Sequence, residues 1–175
     1  MGTNLKIFTD GGCSGNPGPG GWAYIITEDT GCNGEVAGDR ATLGSSGVRA
    51  KPDSCKIIAE DCKAEKNTTN NRMELLAVIS ALETVQSLAL YPNKISIYTD
   101  SQYVQKGMTQ WIQSWKQKRW MTSGKEEVKN KDLWLRLDNL ASQFSINWVW
   151  IKGHAGNELN ERCDYMIQQA IKTAK

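Results

Sequence analysis

"KIFTDGG" (residues 6–12) and "KISIYTD" (residues 94–100) hold nearly the same phrase, IFTD and IYTD, and each phrase ends on an acid, Asp10 or Asp100. Both alternate as strands do, so Asp10 shares a face with Phe8 and Lys6, and Asp100 with Tyr98 and Ser96. If the two strands are neighbours in register, their carboxylates meet at the strand ends, the edge that ligand sites favour in such sheets. An ionised carboxylate in an apolar setting is costly unless it is paired, hydrogen-bonded or bound to a cation. The rest of the chain has to supply that partner.

After the first phrase, the cluster "GGCSGNPGPGGW" reads as a turn, and "WAYIIT" (22–27) as a second strand. Residues 28–56 are rich in Gly, Ser, Asp and Lys with little periodicity, which predicts an enlarged hairpin tip or loop. A third strand is expected within "KIIAEDCKAEKN" (56–67). Leu75, Ile79, Leu82, Val85 and Ala89 recur every three or four residues and predict one long helix in "TTNNRMELLAVISALETVQSLAL" (68–90), capped by Thr69 or Asn70 and stopped by Pro92 and Asn93. Beyond the second phrase, 101–108 and 109–118 read as short helices and 130–143 as an amphipathic one. "INWVWIKGH" (146–154) is a fifth strand. "NERCDYMIQQAIK" (160–172) is a terminal helix with Cys163, Met166, Ile167 and Ala170 inward. Strands in a meander, then alternating with helices, predict a mixed α/β sheet, and 175 residues fit a single domain, 1–175.

A hydrophobic share of 39% and a charged share of 23% suit a globular chain and exclude wholesale disorder. No apolar run approaches the roughly 18 residues of a membrane span, and the first residues lack the apolar core of a secretory signal, so a cytoplasmic location without a membrane partner is expected. Cys13, Cys32, Cys55, Cys62 and Cys163 form no CxxC pair, which argues against a structural zinc site. They are expected to be free thiols, with Cys32 and Cys55 able to pair only if a hairpin joins them. The net charge of +2 is unevenly spread: Lys106, Lys116, Lys118, Arg119, Lys125, Lys129 and Lys131 face only Glu126 and Glu127 in their segment, which leaves the remainder acidic.

Two more acids border the apolar stripes. Glu74 falls in the first turn of the long helix, and Asp164 near the start of the last one. Four carboxylates from four elements can converge, and hard divalent cations with oxygen ligands relieve the resulting repulsion. Each acid also has a plainer reading: a strand-end Asp is often a turn former, and a first-turn Glu complements the helix dipole. His154 stands in a Gly-rich loop after the fifth strand, suited to moving a proton or simply exposed to solvent. In "TQWIQSWKQKRW", Trp111 and Trp115 share a helical face, with Lys116, Lys118, Arg119 and Trp120 on or just past it. Such a cluster suits nucleic acid or forms a small satellite core, and the two readings are compatible.

Taken in order, "FTDGGCSGNPGPGGW", "TTNNRMELLAVISALE", "YTDSQYV", "GMTQWIQSWKQKRW" and "WIKGHAGNELNERCD" closely resemble bacterial type 1 ribonuclease H (ribonuclease HI) across nearly the whole chain outside about 28–60. The resemblance implies a ribonuclease H-like α/β fold, a five-stranded mixed β-sheet flanked by α-helices. It implies an endoribonuclease that cleaves the RNA strand of RNA/DNA hybrids with two Mg²⁺ ions, Mn²⁺ as a substitute, leaving 5′-phosphate and 3′-hydroxyl ends. It puts metal ligands at Asp10, Glu74, Asp100 and Asp164, a mobile proton-handling histidine at His154, and a basic protrusion at about 107–129. Readers of the RNA 2′-hydroxyls, which line the minor groove, map to Cys13, Asn16, Asn70, Asn71 and Gln102, and a pocket for a DNA phosphate to Thr69 and Asn130. The family often has an arginine where this chain has Asn67, which makes that pocket less positive. The chain is also longer than the short family form between Ile26 and Thr68, and an elongated hairpin projecting away from the active face is expected there.

Two rivals remain at this level. A carboxylate nuclease or transposase of the same fold needs the acids but not the Asn-rich readers or the tryptophan protrusion. A non-catalytic RNA/DNA hybrid-binding module needs the basic stretch and not the four acids. A monomer is expected in either case.

Overall fold

The computed structural model describes residues 3–29, 56–153 and 156–174. Five strands form one sheet: β1 (Leu5–Cys13), β2 (Gly18–Glu28), β3 (Ile57–Thr68), β4 (Ile95–Thr99) and β5 (Ile146–Trp150), in the order β3-β2-β1-β4-β5. β1 runs antiparallel to β2 and parallel to β4, and β4 parallel to β5. Thr9 pairs with Thr99, so the two repeated phrases lie side by side in register.

The helices cover both faces. α1 (Asn70–Ser87) buries Leu75, Val78, Ile79, Leu82 and Val85 in a cluster with Leu5, Ile7, Ile26, Ile95 and Ile97. α4 (Lys131–Ala141) adds Leu133, Trp134 and Leu137 to it. On the opposite face α5 (Glu158–Thr173) sets Cys163 and Ile167 against Phe8, Ala23 and Ile25. Each fully buried Leu or Ile contributes about 1.5–3 kcal/mol, so these two layers, more than helix propensity, hold the strands together. Between them along the chain run α2 (Gln102–Lys106), a π-helical turn (Gly107–Trp111) and α3 (Ile112–Gln117).

Four element boundaries differ from the pattern-based expectation. Gly11–Cys13 and Gly18–Gly21 are paired strand and not turn. The turn shrinks to Ser14–Pro17 because Gly11 lets the backbone of α1 close onto β1: a Cβ there would overlap the Glu74 nitrogen and the Met73 carbonyl carbon. α1 ends at Ser87, where the Leu88 and Ala89 amides turn back to Thr84 and Gln86 and Ala89 takes a positive φ, so Pro92 and Asn93 do not stop it. The π-helical turn lets Gly107 sit against the Trp134 ring, where a Cβ would lie 2.7 Å from Cζ2. β5 closes at Trp150, well before the position of His154. β2 and β3 form the expected hairpin from Gly18–Thr68 to Thr27–Ile57; the rest of the segment at 28–60, with Cys32 and Cys55, lies outside the described residues apart from its two ends.

Candidate active site

The parallel pairing of β1 with β4 brings Asp10 and Asp100 to the same end of the sheet, each directly after the paired threonines Thr9 and Thr99. Thr9 and Thr99 are buried, and the Trp150 indole N–H donates to the Asp100 carbonyl at 3.0 Å, so the backbone under both acids is fixed. Gly153 packs against the Asp100 carboxylate: a Cβ there would stand 2.7 Å from Oδ2 and displace it.

Glu74 comes down from α1. It lies past the first turn, since the helix begins at Asn70, and the Gly11 contact sets its height over β1. Its two oxygens are held separately: Asn70 Nδ2 donates to Oε1 at 2.7 Å, and the buried Ser101 hydroxyl donates to Oε2. The same Ser101 oxygen accepts the Val104 amide and so caps α2. Asp164 enters from α5, next to buried Cys163, and accepts from Gln168 Nε2 at 2.9 Å.

Electrostatics tie the four acids together. Burial pushes the Asp10 carboxyl up from an ordinary 3.8 to about 7, helped by the charges of Asp100, Asp164 and Glu74 and opposed by the Gly11 amide that donates to it. Glu74 is likewise raised to about 7 by burial and by Asp100, against the lowering pull of Ser101 and Asn70. Asp10 thus senses all three other acids. As their side chains stand, no three Asp, Glu, His or Cys residues among the described residues are gathered into a group able to hold an ion. The donor set nonetheless suits a hard cation: its atoms are carboxylate oxygens, and positive charge would relieve both the repulsion and the burial cost on Asp10. His154 lies outside the described residues.

Of the other residues expected to act, Cys13 is half-buried with its thiol directed to the carbonyls of Gly18 and Thr68, Asn16 is exposed in the β1–β2 turn, and Gln102 is exposed at the start of α2. Thr69 caps α1 without using its side chain, and Asn71 is exposed beside it. Arg72, one turn on, donates to Asn130 Oδ1 at 3.3 Å, which joins the start of α1 to the start of α4. Its bidentate pairing with Asp132 holds the Asp132 carboxyl below the ordinary range.

The segment at about 107–129, expected as a basic protrusion, begins with the π-helical turn and α3. Trp111, Trp115 and Trp120 form a chain of tilted rings 5.7 and 6.3 Å apart, and Trp115 also meets Trp134 edge-on at 5.2 Å. Trp115 and Trp120 pack on the main core, so the satellite-core reading holds for them. Lys118 and Arg119 are exposed at its tip, while Lys116 is paired with Asp138 at 2.9 Å. Pattern reading missed Ser101, Tyr103, Trp150 and Gly153. Only Ser101 carried a usable signal, as a capping residue directly after a strand-end acid.

The RNase H family model matches residues 2–172. The chain belongs to the RNase H family. A ribonuclease H of Treponema denticola is 44% identical, covering 97% of this chain and 98% of its own length. The ribonuclease HI of Caulobacter vibrioides is 41% identical, covering 99% and 97%. A solved type 1 RNase H with the type 2 active-site motif superposes with a TM-score of 0.76 at 26% identity, over 100% of this chain and 75% of that one. Another solved RNase H1, in complex with an RNA/DNA hybrid, has the same fold at 24% identity, with a TM-score of 0.66 over 97% and 98% of the two chains. RNase H family membership makes the chain a hydrolase of the nuclease class. Among the described residues no helix is long and apolar enough to cross a membrane.

Proposed function

We propose that this chain is a monomeric, cytoplasmic endonuclease, one catalytic domain throughout, that hydrolyses the RNA strand of RNA/DNA hybrids to 5′-phosphate and 3′-hydroxyl ends. The observation that carries the reading is the setting of Asp10: a half-buried carboxyl within the central strand, just past its Thr9–Thr99 pairing with β4, pushed up to about 7 by burial with the charges of three further acids acting on it. Asp10, Glu74, Asp100 and Asp164 are the residues that would hold two Mg²⁺ ions, or Mn²⁺ in their place. When bound, such ions acidify water and neutralise the charge that builds on the departing 3′-oxygen.

The chain's own groups do the rest. The β1–β4 ladder carries the strands that end in Thr9–Asp10 and Thr99–Asp100 side by side, and Asn70 with Ser101 orients Glu74. His154 is assigned the handling of a proton near the reacting phosphate. Cys13, Asn16, Asn70, Asn71 and Gln102 are assigned the reading of the RNA 2′-hydroxyls, the groups that distinguish RNA from DNA. Thr69 and Asn130 are assigned a phosphate of the DNA strand, where the unpaired amides of a helix start favour an anion. Lys116, Lys118 and Arg119, on the scaffold of Trp111, Trp115 and Trp120, meet the backbone further out, which makes cleavage largely independent of sequence.

The test offers end-labelled RNA/DNA, RNA/RNA and DNA/DNA duplexes with Mg²⁺ and with chelator, and identifies the ends of the products. Cleavage confined to the RNA of the hybrid and lost with chelator is expected. Cleavage of DNA/DNA would point to the broader nuclease reading, and tight hybrid binding without cutting in Mg²⁺ to a binding module.

A further inference from the structure

The start of α4 is organised around one hydroxyl. Tyr103, on α2, donates its phenolic proton to the Lys129 carbonyl at 3.3 Å and accepts from Trp134 Nε1 at 3.0 Å and from Asn130 Nδ2 at 3.3 Å. A phenol has one proton and two acceptor sites, and all are in use. On the other side of Asn130, the Arg72 guanidinium donates to Oδ1. Guanidinium only donates, so a flipped amide would set N–H against N–H, and the carboxamide has one orientation. Asn130 itself holds a left-handed backbone, φ 58° and ψ 30°, as the N-cap of α4 and makes no capping bond with its side chain. After these contacts it retains one free amide N–H.

The surroundings say why orientation matters here. Arg72 is matched by the Asp132 carboxylate at 2.9 Å, and Asn67, Thr69 and Asn130 are neutral. Lys131 beside Asn130 is likewise matched, by Glu127 at 2.6 Å, while Lys129, exposed on its other side, adds a cation. A phosphate drawn in by that charge is placed by neutral donors that already point the right way, which costs less ordering on binding.

We propose that Tyr103 and Arg72 are positioning residues that lock the Asn130 carboxamide with its free N–H toward a phosphate of the DNA strand. This rests on the hybrid-cleaving reading and on Asn130 as a phosphate contact.

The experiment uses the full chain with Mg²⁺ and a set of hybrids, each bearing one neutral methylphosphonate at a successive DNA-strand position. The wild-type protein is expected to lose affinity at one position, and Tyr103→Phe to raise KM for the unmodified hybrid about fivefold while losing that positional penalty. A merely structural role would lower stability and leave the penalty in place. If Tyr103→Phe does not fold, Arg72→Met, at a partly exposed ion pair, carries the same prediction. A wild-type protein indifferent to every methylphosphonate but still cutting the hybrid would overturn the phosphate contact and the proposal with it. A penalty retained in full by the variant would overturn the positioning role alone. Failure to cut any hybrid would mean that the functional reading itself is wrong, and the proposal with it.

Discussion

Replacing Asp10 with Asn should make the metal-free protein more stable and inactive at the same time. The Asp10 carboxyl is raised from 3.8 to about 7, chiefly by burial and then by Asp100. Each unit corresponds to about 1.4 kcal/mol, so holding this side chain ionised in the fold costs about 4 kcal/mol. The sign follows from proton uptake. Below about pH 4 the group is protonated in both folded and unfolded chains; between about 4 and 7 only the folded chain keeps the proton. Stability therefore falls as pH rises through that window and levels off above it. Asparagine keeps an oxygen for the Gly11 amide and removes the ionisation. In chelator at about pH 8 the variant should be about 2–4 kcal/mol more stable, a melting point higher by about 5–15 °C for a chain of this size. Thermal melts of both proteins from about pH 4 to 8, paired with hybrid-cleavage assays, measure this directly. A variant that melts at or below the parent at pH 8, or a gap that does not close toward pH 4, refutes the account of Asp10 as a strained carboxylate.

Three further outcomes are expected. Gly11→Ala should destabilise by about 3 kcal/mol or more, because the added methyl meets the backbone of α1 and not a movable side chain, whereas Gly12→Ala, whose Cβ would lie 3.6 Å from Ile167, should stay within about 1 kcal/mol; equal melting points for the two would contradict the close strand–helix approach. Ser101→Ala should cost about 1–2 kcal/mol through the lost cap of α2 and weaken Mg²⁺ binding measured by calorimetry, since Glu74 loses a donor; unaltered Mg²⁺ affinity would separate Ser101 from the site. Lys118→Ala with Arg119→Ala should weaken hybrid binding and flatten its salt dependence by about one to two units of log–log slope; an unchanged slope would remove the protrusion from the interface.

Much of the scaffold was legible because it is periodic. The IFTD and IYTD phrases alternate cleanly and end on like residues, and the ladder pairs them threonine to threonine. The α1 stripe was equally plain, but its end was not: Leu88 and Leu90 continue the apolar pattern, and no glycine marks the turn at Ala89. The glycine cluster misled in the other direction, since glycines that signal a turn by propensity are here strand residues, and at Gly11 the missing side chain is what lets a helix backbone lie on the strand. At the site, the acids were visible as strand-end and helix-edge charges. Their supports were less so: the capping role of Ser101 was readable locally, but its bond to Glu74 and that of Trp150 to Asp100 join residues distant in sequence, which no local pattern encodes.

β1 lies third in the order of five, with a ladder on each flank. Asp10 therefore rides on a strand that cannot tilt without tearing two ladders. Asp164 rides on α5, a helix attached to the sheet by side-chain packing. The carboxylate on that helix is therefore the one with more freedom to shift, and warming should loosen Asp164 before Asp10.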